Sequence, residues 1–318
     1  MPRSPDSPVI SESLLRYRPW PGEFGGPQRA SLALARISLR LMLRKKAFWA
    51  LLALAGMIFF FFFYGQYLIV WVGLQAGQQS VSLGGIPVRM DGLTKFLDRL
   101  NLNGSPHTFA NVIWFEGYIL TIVLALAGSI LIGNDVHHGS LPYYLSKPID
   151  RRHYLLGKCL AVGMLVNLLT TIPAIILYIQ AGLLYDWTTY YIDHLRQLFG
   201  IMVVGLLITV VLGVLLTAVA VRVRHTVPLV MVWTGLFVLL PIIGRWLVEG
   251  PQFHPIWRTM DIWNDLYLLS LWILDADFTE IKTDRNPTVW QAALAIGIVV
   301  MIAILTLRTR VKAIEVVS

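Results

Sequence analysis

Ala47-Phe-Trp-Ala-Leu-Leu-Ala-Leu-Ala-Gly-Met-Ile-Phe59-Phe-Phe-Phe-Phe63-Tyr-Gly-Gln-Tyr-Leu-Ile-Val-Trp71 runs for 25 residues without a charge. A helix rising about 1.5 Å per residue needs about 20 apolar residues to cross a hydrocarbon core of about 30 Å, so this stretch is long enough to span a bilayer. Its five consecutive phenylalanines at 59–63 would point in every direction around a helix, an arrangement that lipid accepts and water opposes.

Five further stretches meet the same test, at 112–133, 159–184, 198–221, 227–248 and 290–307. Only Arg222, Val223, Arg224, His225 and Thr226 separate the fourth from the fifth, which predicts a tight helical hairpin. The whole chain agrees with this reading. Of its 318 residues, 56% are hydrophobic and 14% charged, whereas soluble domains carry about a quarter charged residues. The predicted fold class is therefore an all-α integral membrane protein with six transmembrane helices, occupying 47–310.

Positive residues are retained on the cytoplasmic side of a membrane, so the segments between spans reveal orientation. With both termini inside, 18 of the 26 Lys and Arg fall on the inner face and 8 on the outer. Acidic residues run the other way, 6 inside and 12 outside, giving +12 within and −4 without. Topology alone thus explains the formal charge of +8, and no nucleic-acid partner is needed to account for it. The expected location is the inner (cytoplasmic) membrane, with both termini cytoplasmic. A polar, proline-containing leader precedes the first span, which is expected to act as its own insertion signal. The lone Cys159 permits no internal disulfide and fits no metal site.

Outside the spans, 1–28 lack sustained apolar periodicity and are read as a disordered cytoplasmic leader, and 311–318 as a cytoplasmic tail. Over 29–46, Arg36, Arg40 and Arg44 recur every four residues while Leu32, Leu34, Ile37, Leu41 and Leu43 fill other faces. A helix puts the three guanidinium groups in one row, suited to lipid headgroups at the membrane interface; a plain cytoplasmic extension of the first span is the alternative. On the outer side, 72–111 reads as a loop with an amphipathic piece near 93–100, too small for an independent domain. In 249–289, Ile256, Met260, Trp263, Tyr267 and Leu271 follow helical spacing, predicting a surface or shallow re-entrant helix before the last span. Trp246, Trp257, Trp263, Trp272 and Trp290 suit a membrane interface.

The segment joining the second and third spans reads Asp135-Val-His-His-Gly139-Ser140-Leu141-Pro142-Tyr143-Tyr144-Leu145-Ser146-Lys147-Pro148-Ile149-Asp150-Arg151-Arg152, followed shortly by Gly157-Lys158. Ser140 can cap a short helix and Pro148 limits its continuation, leaving Tyr143, Tyr144 and Leu145 to dock on a neighbour. This pattern resembles the membrane subunit of type-2 ABC exporters. There an acidic residue is followed by Gly-Thr/Ser, an apolar run, Ser-x-Pro-hydrophobic-x-Arg, and a Gly-Lys leading into the next span. Asp135, Gly139, Ser140, Leu145, Ser146, Pro148, Ile149, Arg151, Gly157 and Lys158 supply it here, while Pro142 stands where an acidic or polar helix former is usual. The resemblance implies that this element, with Leu141, Tyr143 and Tyr144, is a cytoplasmic coupling helix held in a groove of a separate ATPase. It also implies two P-loop ATPase subunits carrying ATP and Mg, and a second permease subunit, most simply a copy of this chain. An outer accessory protein is a further expected partner. The alternative to coupling is a basic loop held at the lipid surface.

No nucleotide site of the chain's own is expected. A Walker A motif ending at Gly157-Lys158 would need glycine at position 152, which is Arg152, and Ser or Thr where Cys159 stands. Neither His-Glu-x-x-His nor Gly-x-Ser-x-Gly occurs, and adjacent His137 and His138 diverge by about 100° on a helix. No catalytic residue, cofactor or metal is therefore assigned to this chain.

Within the spans, Glu116 and Arg245 are candidates for substrate passage or mutual pairing; snorkelling to the outer interface is the alternative. Asn167, Thr170 and Thr171 are expected to hydrogen-bond between helices. Ala125, Ser129 and Gly133 form a small-residue stripe for close packing. The functional expectation is a permease coupling ATP hydrolysis by other subunits to export or to mechanical signalling. A membrane scaffold anchoring inner and outer partners is the rival reading.

Overall fold

The computed structural model describes residues 26–74, 80–83, 86–89, 101–128, 151–185, 187–223, 225–278 and 285–310. An N-terminal helix α1 (Pro27–Leu43) precedes α2 (Lys46–Leu74), the first span. A hairpin of β1 (Ser80–Leu83) and β2 (Ile86–Arg89) follows, pairing Ser80 with Arg89 and Leu83 with Ile86. The second span is α3 (Pro106–Gly128), and the third is built from α4 (Arg151–Leu169) and α5 (Thr171–Leu184). A short α6 (Trp187–Asp193) leads to the fourth span, α7 (Leu195–Arg222). The fifth comprises α8 (Thr226–Thr234), a π-helical turn (Gly235–Leu239) and α9 (Leu240–Glu249). A 3-10 turn (Pro255–Met260), α10 (Ile262–Ile273) and the last span, α11 (Val289–Arg310), complete the chain.

Six helices are long and apolar enough to cross a membrane, and the protein is a multi-pass, essentially all-α membrane protein. Six crossings return the chain to its starting face. The spans are not equivalent. Of the most apolar window in each, 61%, 56% and 50% of the second, third and fourth spans is buried, against 17% of the first, fifth and sixth. The former three, with α10, make the core, and the others present apolar side chains outward. The phenylalanine run follows that division: Phe62 is buried and Phe60 and Phe61 are half exposed.

Four expectations need correction. The loop 72–111 contains the β1–β2 hairpin, and its amphipathic piece 93–100 lies outside the described residues. The second span begins at Pro106, six residues before the apolar run at 112, because His107 and Asn111 extend the same helix. The single helix expected over 256–271 is interrupted at Asp261, whose carboxylate accepts from the Asn264 N–H at 3.0 Å and so starts α10 afresh. Of the two forms expected for that helix, surface or shallow re-entrant, the surface one is overturned: Ile262, Trp263, Asp265, Leu266, Leu268, Leu269, Ser270 and Leu271 are all buried. Trp263 accordingly leaves the expected aromatic belt, while Trp246, Trp257, Trp272 and Trp290 are exposed as foreseen.

Tight contacts explain why α10 sits inside. The Trp263 indole lies against Gly117 of α3, where a Cβ would come within 1.5 Å of the ring, and its N–H donates to the Trp114 carbonyl at 3.1 Å. Tyr267 donates its hydroxyl to Asn111 Oδ1 at 2.8 Å. Trp263 thus buries its ring and Tyr267 half-buries its own, and both satisfy their polar atoms on the second span.

Candidate functional site

The candidate coupling residues Asp135, Gly139, Ser140, Leu141, Tyr143, Tyr144, Leu145, Ser146 and Pro148 lie outside the described residues. Arg151 opens α4, the helix that follows that segment in the sequence. Its first turns are clamped. Helix α1 lies against the first turns of α4, with Ser31 Oγ donating to the His153 carbonyl at 2.9 Å. At Gly157 the two backbones approach so closely that a Cβ would lie 2.8 Å from the Ser31 carbonyl oxygen and 3.0 Å from Leu34 Cβ. One turn of side chain further on, Lys158 is buried, its ammonium donating to Ser38 Oγ at 3.4 Å and lying 5.6 Å from the centre of the Tyr154 ring. The Gly157-Lys158 pair therefore serves helix docking.

This geometry also resolves the status of α1. The helix ends at Leu43 and α2 begins at Lys46, so it is a separate element and not an extension of the first span. Its buried face is Leu34, Ala35, Ser38 and Met42, and Arg36, Arg40 and Arg44 are all exposed on the other side, beside exposed Ile37 and Leu41. Such a mixed basic and apolar outer face fits a headgroup layer.

Higher in the third span, one of the expected interhelical hydrogen bonds is present, at Asn167, while Thr171 and Thr170 bond within their own span. Asn167 Nδ2 donates to Thr209 Oγ1 of the fourth span at 2.9 Å and to the Gly163 carbonyl at 2.7 Å, while its Oδ1 accepts from Thr171 at 2.7 Å. Thr170 instead bonds its own helix, through the Val166 carbonyl at 2.8 Å. Of the small-residue stripe, Ala125 is buried, and Ser129 and Gly133 lie outside the described residues.

Glu116 and Arg245 are not brought together. Glu116 is 1% exposed, and neither carboxylate oxygen has a hydrogen-bond partner among the described residues. Because α3 starts at Pro106, Glu116 stands ten residues into the span, about 15 Å along the axis, too deep to snorkel. Arg245 is exposed on α9 and lines a separate cleft with Arg258, Glu249 and Asp261. The pairing expectation and the snorkelling of Glu116 are both overturned.

The family model described as ABC-2 family transporter protein matches residues 32–307. This chain belongs to that family. The match runs from α1 into the last span, so the ABC-2 assignment covers the clamp, the core and the connection between the second and third spans alike. No curated protein matches the sequence. Within this ABC-2 chain, sequence reasoning missed Arg258 and Asp265 as functional candidates. Asp265 is fully buried with both carboxylate oxygens unpartnered among the described residues, and burial together with nearby Asp261 pushes its carboxyl up to about 8. Its only sequence signal was an acid inside an apolar helical run.

Proposed function

We propose that this chain is the membrane half of an exporter driven by two separate ATPase subunits, which carry ATP and Mg, and that 139–148 form the helix those subunits grip. The observation that carries the reading is the clamp at Gly157 and Lys158. The segment in question leads directly into α4, and α4 is fastened to α1 within its first two turns, so a push on that segment moves two helices together. A loose connection would dissipate such a displacement. The third span then passes it to the fourth through Asn167 and Thr209. Both termini and the clamp face the cytoplasm across the inner membrane, in keeping with the distribution of Lys and Arg. A second copy of this chain supplies the other half of the permease, since the first, fifth and sixth spans leave broad apolar faces uncovered. Purely mechanical signalling to an outer partner would use the same parts.

Replacing Tyr144 and Leu145 together with Asp tests the proposal. ATPase copurification and membrane-dependent ATP hydrolysis are expected to be lost, while insertion and thermal unfolding in detergent stay as in the wild type. Undiminished copurification would leave the chain as a scaffold.

A further inference from the structure

A cleft of about 630 Å³ opens between α3, the π turn with α9, the 3-10 turn and α10. Its volume is in the range of small-molecule sites. Its chemistry is segregated along its length. Glu249, Arg245, Arg258 and Asp261 line the cleft where the fifth span ends, its mouth, and Phe237, Val238, Pro241 and Ile242 line it earlier along that span, its depth, where Val238 and Ile242 are open to the surroundings. Phe237 and Glu249 are twelve residues apart along the helix, about 18 Å, close to the half-thickness of about 15 Å that one leaflet's acyl chains occupy. At the deep end the polar groups of Thr121 are taken: Thr121 Oγ1 donates to the Gly117 carbonyl at 2.6 Å, and the Thr121 carbonyl accepts from the Trp233 indole at 2.9 Å.

The mouth holds two arginines and two acids, but they are loosely paired. Arg245 makes no hydrogen bond or ion pair among the described residues. Arg258 reaches Glu249 only at 3.9 Å and the Arg285 carbonyl at 3.4 Å, and its Nε is buried without a partner. Both guanidinium groups line the same cleft, and burial first and then the Arg245 charge hold the Arg258 guanidinium below its ordinary value. Of the nearby acids, Asp261 is engaged as the cap of α10, and burial pushes its carboxyl up, weakening it as a counter-charge. An oxyanion between the arginines would relieve the repulsion and satisfy the idle donors.

We propose that this cleft binds an anionic amphiphile from the adjoining leaflet, its oxyanion head between Arg245 and Arg258 and its apolar tail along Phe237, Val238, Pro241 and Ile242. A free inorganic anion would leave the apolar depth unfilled, and a zwitterionic lipid would bring a cation to two arginines. The site rests on the cleft alone and stands whether or not the ATPase reading holds.

Trp114, Trp246 and Trp263 line the cleft and report on it. The full chain is reconstituted in phosphatidylcholine nanodiscs containing an equal fraction of either dibrominated phosphatidylglycerol or dibrominated phosphatidylcholine, and tryptophan quenching is compared. The anionic probe is expected to quench about twofold more. Arg245→Gln, at an exposed position, removes that excess, and Val238→Phe, which fills the depth and keeps both arginines, removes it independently. Equal quenching by the two lipids in the wild type would overturn the proposal. So would an excess that survives Arg245→Gln or Val238→Phe. Abolition of the excess by inorganic phosphate in the buffer would mark a free-anion site and overturn it too.

Discussion

The third and fifth spans are broken by the same residue type and repaired in opposite ways. Each contains a proline that cannot donate to the carbonyl four residues back: Pro173 faces the carbonyl of Leu169, and Pro241 that of Phe237. In the third span the break falls at Thr170, which is buried with Leu169 and Thr171, and side-chain hydrogen bonds from Asn167, Thr170 and Thr171 cross the break on either side. In the fifth the helix widens to a π turn, with the Leu240 N–H reaching the Gly235 carbonyl, and no residue of that turn is buried. π turns mark places where a helix is strained or hinged. A kink braced by neighbours transmits displacement, whereas an unbraced one absorbs it. Under the function proposed above, the third span is the lever and the fifth a compliant wall.

The largest effect expected concerns α10, which separates the cleft from the braced core. The Asp265 carboxyl is raised from 3.8 to about 8 in the folded protein, so the native state favours its protonated form. Its contribution is fully present below the unfolded value and is lost as pH rises through the folded one, by roughly 5 kcal/mol at most. Wild-type stability is therefore expected to fall between weakly acidic and alkaline pH. Asp265→Asn should flatten that profile in thermal unfolding, and a variant that keeps the wild-type slope would remove Asp265 as the cause.

Next in size is the clamp. Gly157→Leu drives a side chain into the Ser31 carbonyl and Leu34, and a loss of about 3 kcal/mol is expected, from a clash partly against backbone. Limited proteolysis should then cut within α1 while the spans stay protected. Resistance of α1 to cleavage would show that the clamp yields without releasing.

A paired alanine substitution measures the brace itself. A Cβ at Gly205 would lie 2.0 Å from Thr171 Oγ1, whereas one at Gly235 meets nothing within 4 Å. Gly205→Ala should cost about 2 kcal/mol by displacing the Thr171 to Asn167 bond. Gly235→Ala should stabilise by about 0.5 kcal/mol through helix propensity. Equal changes in unfolding midpoint would erase the distinction between lever and wall.

How far the residues themselves foretold this differs from place to place. The phenylalanine run announced a lipid-facing helix because hydrophobicity acts on each side chain whatever its neighbours. The arginine row of α1 was legible for the same reason: helical period alone places Arg36, Arg40 and Arg44 on one face. The burial of α10 was not legible, since Trp263 suits an interface as well as a core until Gly117 is known to lie beneath it. Nor was the fate of Glu116, because its depth depends on where α3 begins.

Local chemistry thus determined the number of spans, the side of the membrane that attracts positive charge, the amphipathic entry helix and the absence of a Walker A motif. Which of those spans form the core, why Gly157 and Lys158 hold α1, and how Arg245 comes to face Arg258 and not Glu116 were decided only in three dimensions. The reason is physical. Partition into lipid depends on what a residue is, while close packing and charge pairing depend on which residues from distant parts of the chain come to share a few ångströms.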